Sequence, residues 1–318
     1  MNGEVREMEG VENRAIGALL GLFVGDAFGA QGEFISEATL AGAHPDGLRE
    51  MDERDRWIGE AGMITDDSEM AIMLAQSMIE RGTVDSEAVR RQYIRWLDAL
   101  PSDIGNTILT ALREGRMNGE SQANGALMRV APIGIAGARL RQETIIAFSD
   151  RDCAITHIHP VCRDANRLWA LAIAQAIREG LTGEAVYAYL QEIAPKVTQE
   201  QILLETIKKA KEEAPASCDG WGQGWVVLAF HLSLHTLLHA SSIEEGIRAI
   251  TMRGGDSDTN AAIYGALAGA VAGAATIPDR WLEALRPTRC LEDLLGAEAK
   301  DIRALAARLA HGLLQLNP

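Results

Sequence analysis

The 318-residue sequence predicts an all-α protein, on three observations. Apolar residues recur at spacings of three and four through nearly every segment, the segments are divided by short Gly, Pro, Ser or Asn punctuation, and no run of alternating β-branched residues competes. In chain order the pattern predicts helices around 69–81, 86–98, 104–115, 164–179, 184–194, 199–213, 225–239, 244–252, 260–275 and 298–315. About a dozen helices are expected in all, with loops carrying the chemistry. No linker divides the chain, so residues 1–318 are expected to form a single compact domain.

Two further stretches carry a glycine pattern. Gly17, Gly21, Gly25 and Gly29 recur every fourth residue, as do Gly265, Gly269 and Gly273, which gives each helix a ridge without side chains. A glycine inside a helix costs about 1 kcal/mol against alanine, and close approach of two helix backbones is a physical reason to accept it. Both helices are therefore expected in the core. Asp26 then falls beside the second of two acidic clusters, or in its supporting shell.

Those clusters are Thr65-Asp66-Asp67 and Gly255-Asp256-Ser257-Asp258-Thr259, each directly ahead of a helical segment. Singly, each reads as a helix cap. Asp66 followed by Glu69, ahead of Met70 to Leu74, fits a capping box. A cap needs one side-chain oxygen, however, and crowded carboxylates repel unless cations neutralise them. If the fold brings the clusters together, four carboxylates and two hydroxyls meet, a donor set that suits two hard divalent cations, Mg²⁺ or Mn²⁺. Neither cluster holds a thiolate or an imidazole, which disfavours zinc.

Charge and composition narrow the function classes. Lys and Arg number 30 against 45 Asp and Glu, a net −15 that opposes nonspecific binding to nucleic acid or to anionic membranes. A phosphate-bearing ligand is still admissible, held locally by cations or helix N-termini. The longest apolar stretches, Ala15 to Val24 and Ala261 to Ala275, fall short of the ~20 residues that span a bilayer, and no basic start precedes an apolar core. A cytoplasmic location without membrane insertion is expected. Cys153, Cys162, Cys218 and Cys290 form no CxxC pair and read as reduced, partly buried thiols.

Several single residues have two readings. Glu33 is either a solvated loop carboxylate or a site acid, and Asp103 either a helix cap or a site acid. Asn124-Gly125-Ala126 is a turn before a helix, or a place where backbone amides approach a ligand. Of His157 and His159, which flank Ile158, only one can readily face a cleft. His231, His235 and His239 mimic a metal stripe, but leucines interleave them and no carboxylate accompanies them, so a partly exposed helix face is the better reading. Trp225 packs at a helix start or offers an aromatic face to a ligand. Arg129 reads as half of a buried ion pair. Ala38 to Gly62, with Asp52, Glu53, Arg54, Asp55 and Arg56, reads as a solvated loop that can meet a target.

Seven motifs, in order, resemble the ADP-ribosylglycohydrolases, most closely their dinitrogenase-reductase-activating branch. They are the run from Gly17 to Ala27, Glu33-Phe34, Ile64 to Met70, Asp103-Ile104-Gly105-Asn106-Thr107, Asn124 to Arg129, Ile155 to Pro160, and Gly254 to Thr259. The resemblance implies an orthogonal all-α fold with a binuclear Mg²⁺ or Mn²⁺ centre below a cleft for ADP-ribose. By motif it implies Thr65, Asp66, Asp67, Asp256, Asp258 and Thr259 as metal ligands, and Asp103 or Glu33 for proton transfer. Asn124, Gly125, His157 and Trp225 become substrate contacts, with His159 structural. The implied substrate is an ADP-ribosylated protein, with the arginine linkage favoured by the Asp103 motif. Another ADP-ribose linkage (serine or small-molecule), a binuclear phosphoesterase and a non-catalytic ADP-ribose binder stay open. Two departures stand out: Ile104 replaces the family's valine, and Ala123 stands where relatives usually carry the first glycine of Gly-Asn-Gly.

Overall fold

A computed structural model describes residues 2–51 and 60–317, with side chains from residue 8 onward. Sixteen α-helices run through the described residues. The first eight are α1 (Asn2–Gly29), α2 (Glu37–Ala43), α3 (Asp66–Arg81), α4 (Ser86–Asp98), α5 (Asn106–Glu114), α6 (Ala131–Gly137), α7 (Gln142–Cys153) and α8 (Pro160–Glu179). The rest are α9 (Gly183–Val197), α10 (Gln201–Lys209), α11 (Val226–His239), α12 (Ile243–Thr251), α13 (Ser257–Ala272), α14 (Asp279–Ala284), α15 (Arg289–Leu295) and α16 (Ile302–Leu314). No strand longer than an isolated bridge occurs among the described residues.

The glycine ridges decide how the core is assembled. α1 and α13 lie antiparallel with backbones in contact: a Cβ at Gly269 would fall 2.0 Å from the Gly17 carbonyl oxygen, and one at Gly265 would fall 2.0 Å from that of Gly21. At Gly25 it would fall 2.1 Å from Ala261 O. Only glycine permits this approach. Gly273 departs from the expected ridge, because it sits past the helix end at φ +83° as the C-cap of α13. At the other end of the pair, Gly29 lies against the backbone of Asp258, which sets the second acidic cluster beside the exit from α1.

The segment Met8–Gly32, of mean hydropathy 1.3, is long and apolar enough to cross a membrane by length and composition. This corrects the shorter apolar run read from the sequence, because Asp26, the one charged residue after Arg14 in the segment, does not offset the flanking apolar residues. Within this fold 94% of its most apolar window is buried, against α13 and its neighbours.

Helices absent from the sequence reading have identifiable causes. α6 is buried at all seven positions and so shows no polar face, while α7 buries Ser149 and Asp152 among its apolar residues and blurs the period. α14 and α15 are too short for a periodic signal. The expected loop from Ala38 to Gly62 contains most of α2, and Asp52, Glu53, Arg54, Asp55 and Arg56 lie outside the described residues. All four cysteines are free and fully buried.

Candidate active site

The first acidic cluster opens α3. Thr65 is the N-cap, its hydroxyl accepting from Asp67 N, so Asp66 is the first helical residue rather than the cap. That register takes Glu69 out of the capping-box position. Its carboxylate accepts instead from Trp96 Nε1 at 2.6 Å and from the Thr288 hydroxyl, and burial pushes its pKa up to about 7. Asp26, on α1, holds the turn from behind: it accepts from Thr65 N at 2.9 Å, Ser68 N at 3.1 Å and the Ser68 hydroxyl. Burial outweighs these hydrogen bonds and raises Asp26 to about 6. The brace therefore acts on the first cluster, where the sequence had suggested the second.

The second cluster opens α13 and is held by a short strap. Phe34 N donates to Gly255 O at 2.7 Å and Gly255 N to Ile35 O at 3.0 Å, so residues 33–36 run beside the turn at 254–255. Gly255 adopts φ +70°, and a Cβ there would lie 1.9 Å from Cys218 O. No other residue type fits that turn. The strap carries Glu33 to Asp258, and the loop ahead of α5 brings Asp103. Carboxylate oxygens of Glu33, Asp103 and Asp258 all lie within 4.8 Å of one another. Asp103 accepts from Ile104 N at 2.7 Å, and the N-cap of α5 is Gly105, which excludes the helix-cap reading of Asp103.

Asp67 joins the two clusters. Its Oδ2 accepts from Thr65 Oγ1 at 3.0 Å and from Thr259 Oγ1 at 3.4 Å, across 192 residues of sequence. Its Oδ1 is buried without a partner. Burial is the chief cause that holds Asp66, Asp67 and Asp258 well above the usual carboxylate range; next come Asp103 for Asp66, Asp26 for Asp67 and Glu33 for Asp258. Asp256 is raised by burial too, against the hydrogen bond that Asn124 Nδ2 donates to its Oδ2 at 2.6 Å. An orphaned carboxylate oxygen among mutually repelling acids, with only oxygen donors nearby, fits a hard cation.

At this acidic floor lies a cavity of about 370 Å³, whose lining includes Glu33, Asp66, Asp103, Asp256 and Thr259 together with Asn124, Gly125 and His157. Asn124 N donates to Gly224 O at 3.0 Å, which takes that amide out of reach of a ligand and leaves the side chain as the part that serves the site. Ala123 fits because residues 122–124 pair with 224–226 as a short bridge, without a left-handed residue at 123. His157 is fully buried with Nε2 unpartnered. Burial, and then Arg129, press its pKa down to about 3.

His159, Trp225, His231, His235 and Arg129, also singled out from the sequence, lie outside the cavity lining. His159 caps α8, its Nδ1 accepting from Val161 N at 3.2 Å. Trp225 is 37% exposed and donates Nε1–H to Gln122 Oε1 at 2.9 Å; it lines an open groove next to the cavity rather than the cavity itself. His231 and His235 donate to the carbonyls of Glu213 and Ala210, and they gather no carboxylate. Arg129 is in a buried ion pair with Asp152 at 3.1 Å. Sequence reasoning missed Phe34, Asn106, Thr107, Met128, Gln223 and Gly224 in the lining. The clustered glycines at 220, 222 and 224 were a usable signal for a loop near a ligand.

Comparison with known proteins places this geometry among relatives. A family model described as ADP-ribosylglycohydrolase matches residues 7–315. The chain is 30% identical to an ADP-ribosyl-[dinitrogen reductase] glycohydrolase of Rhodospirillum rubrum, over 86% of this chain and 91% of that protein. It is 27% identical to an ADP-ribosylarginine hydrolase, Tri1, of Serratia proteamaculans (strain 568), over 86% of this chain and 75% of that one. A solved structure titled ADP-ribosylglycohydrolase-related protein complex superposes with TM-score 0.81 at 29% identity, covering 97% of this chain and 99% of its own.

Proposed function

Because the chain belongs to the ADP-ribosylglycohydrolase family, a family of enzymes, we propose that it is a divalent-cation-dependent hydrolase that frees ADP-ribose from a modified protein by cleaving the N-glycosidic bond to arginine. One observation carries the reading: Asp67, its Oδ1 orphaned, ties two distant acidic clusters together beneath the cavity. The arginine linkage rests on the Asp103 to Thr107 motif and on the name of the Serratia relative, an ADP-ribosylarginine hydrolase.

Thr65, Asp66, Asp67, Asp256, Asp258 and Thr259 would hold two cations, Mg²⁺ or Mn²⁺. Such a pair supplies Lewis acidity toward ribose hydroxyls and water. The chain's own groups do the rest. Asn124 fixes Asp256 and Asp26 fixes the Thr65–Ser68 turn. Glu33 or Asp103, both at the cavity surface, handles the proton of the leaving guanidine as the ribose carbon becomes oxocarbenium-like. Gly125 leaves room at the wall, His157 offers a hydrogen bond, and Trp225 presents an aromatic face to adenine in the adjoining groove.

The test is release of free ADP-ribose from arginine-, serine- and nucleic-acid-linked substrates in Mg²⁺, Mn²⁺ or EDTA. Release from the arginine substrate with cation and none with EDTA is expected. Release from serine alone moves the linkage, hydrolysis of a generic phosphodiester alone makes it a phosphoesterase, and binding without turnover makes it a binder.

A further inference from the structure

Behind His157, which lines the cavity, lies a chain of buried polar groups of which the proposed mechanism uses His157 alone. Arg129 Nη2 donates to Thr156 Oγ1 at 2.9 Å, and Thr156 Oγ1 lies 2.8 Å from His157 Nδ1. All three side chains are fully buried. Arg129 is fixed in turn by Asp152 and by the Tyr93 ring, 4.6 Å below its guanidinium carbon, and it also donates to Gly125 O at 3.2 Å.

A guanidinium only donates, so the Thr156 oxygen must accept from it, and the hydroxyl proton is left to go to Nδ1. The opposite tautomer would give Thr156 two donors and its own proton no acceptor among the described residues. Gly125 completes the placement, since a Cβ there would lie 3.3 Å from His157 Cε1 and crowd the ring.

We propose that Arg129 and Thr156 are positioning residues that lock His157 as the neutral Nε2–H tautomer, so that the cavity wall presents a single hydrogen-bond donor to an acceptor oxygen of the ADP-ribose moiety. The inference rests on the ADP-ribose reading for its ligand, but its tautomer part stands on the hydrogen-bond chain alone. A neutral donor suits this place. Burial keeps the ring from becoming a cation, so it adds no charge that would compete with cations at the floor. The geometry also explains why His157 is present although it touches none of the acidic groups through a described hydrogen bond.

The experiment is two-bond ¹H–¹⁵N correlation of the histidines in the full-length protein, with binding of ADP-ribose by calorimetry in Mn²⁺. The wild-type His157 should show a protonated Nε2 and a bare Nδ1, unchanged from pH 8 to 5. Thr156→Val should scramble the tautomers and weaken ADP-ribose binding about tenfold, the effect of one lost hydrogen bond. Thr156→Ser should restore both, which a purely structural role for the methyl group would not do. If Thr156→Val does not fold, the wild-type spectrum and His157→Phe decide. A protonated Nδ1 in the wild type overturns the lock, and His157→Phe binding ADP-ribose as tightly as wild type overturns the donor role. A locked Nε2–H with His157-dependent binding but no catalysed release upholds this inference and removes the hydrolase reading instead.

Discussion

In the acidic cluster at the cavity, Asp66, Asp67, Asp256 and Asp258 share two threonine hydroxyls, one asparagine amide and the Thr259 backbone N–H among them, with Asp67 Oδ1 left over. Behind the lining residues Gly125 and His157, Arg129 directs all its N–H groups to acceptors: two to Asp152, and one each to Gly125 O, Thr156 Oγ1 and the Met70 sulfur. Both regions are buried and charged. The Arg129 guanidinium is neutralised and hydrogen-bonded by its own partners, with only His157 Nε2 beyond it left open, whereas the acidic cluster is a set of like charges that the protein alone does not satisfy. A buried charge cluster that lacks its counter-charges is therefore the signature of a site, and one that has them is the signature of a scaffold.

The floor exists only because α1 and α13 are in backbone contact, so the largest effect is expected from breaking that contact. Gly269→Leu, whose Cβ would fall 2.0 Å from Gly17 O, should cost more than about 4 kcal/mol and leave no folded protein in circular dichroism at 25 °C. Gly42→Ala, in α2 with open space around it, is the control and should be neutral or stabilising by under about 1 kcal/mol. A Gly269→Leu protein with wild-type melting would mean that the ridge does not hold the clusters together.

That contact was legible in the sequence, because a glycine repeat at every fourth residue has few other physical causes. So were the two clusters, since paired acids at helix starts exceed what a cap requires. What joins them was not legible. The Asp67–Thr259 bond spans 192 residues, and the placement of Glu33 depends on a left-handed Phe34 at φ +54° and on pairing with Gly255, neither of which leaves a periodic trace. Asp26 was read beside the second cluster, and its charge does act on Asp258 there, but its hydrogen bonds go to the first, because helix spacing gives the face of a residue and not which neighbour that face meets. The wall was read only as an ion pair. Thr156 carries no pattern of its own, and its place between Arg129 and His157 follows from the turn that ends α7.

Two substitutions of the same kind separate floor from wall by sign. Asp152→Asn leaves Arg129 charged, buried and without its anion, and should destabilise the protein by about 3 kcal/mol or more in urea. Asp103→Asn removes a charge that raises both Asp66 and Glu69, so in EDTA it should stabilise, by no more than about 1 kcal/mol because Asp103 is partly exposed and screened. If both substitutions destabilise to the same degree, the two sides are not different in kind.

The smallest expected change needs no mutation and follows from linkage. Asp26 at about 6 and Glu69 at about 7 hold their protons more tightly folded than unfolded, and Asp66, Asp67 and Asp258 shift in the same direction. The folded state therefore binds more protons from about pH 4 to 7, so the stability of the chelated protein is greatest below that window and falls as pH rises through it. His157, pressed down to about 3, acts in the opposite sense and costs stability only as pH falls below its ordinary value of 6.5. Saturating Mn²⁺ should cancel the first slope, because cations hold the carboxylates ionised, and should leave the second untouched. Urea midpoints across pH 5 to 8, with EDTA and with Mn²⁺, measure both. The EDTA-specific loss should be roughly 1 kcal/mol. A loss that persists unchanged in Mn²⁺ would place the repulsion somewhere other than the floor.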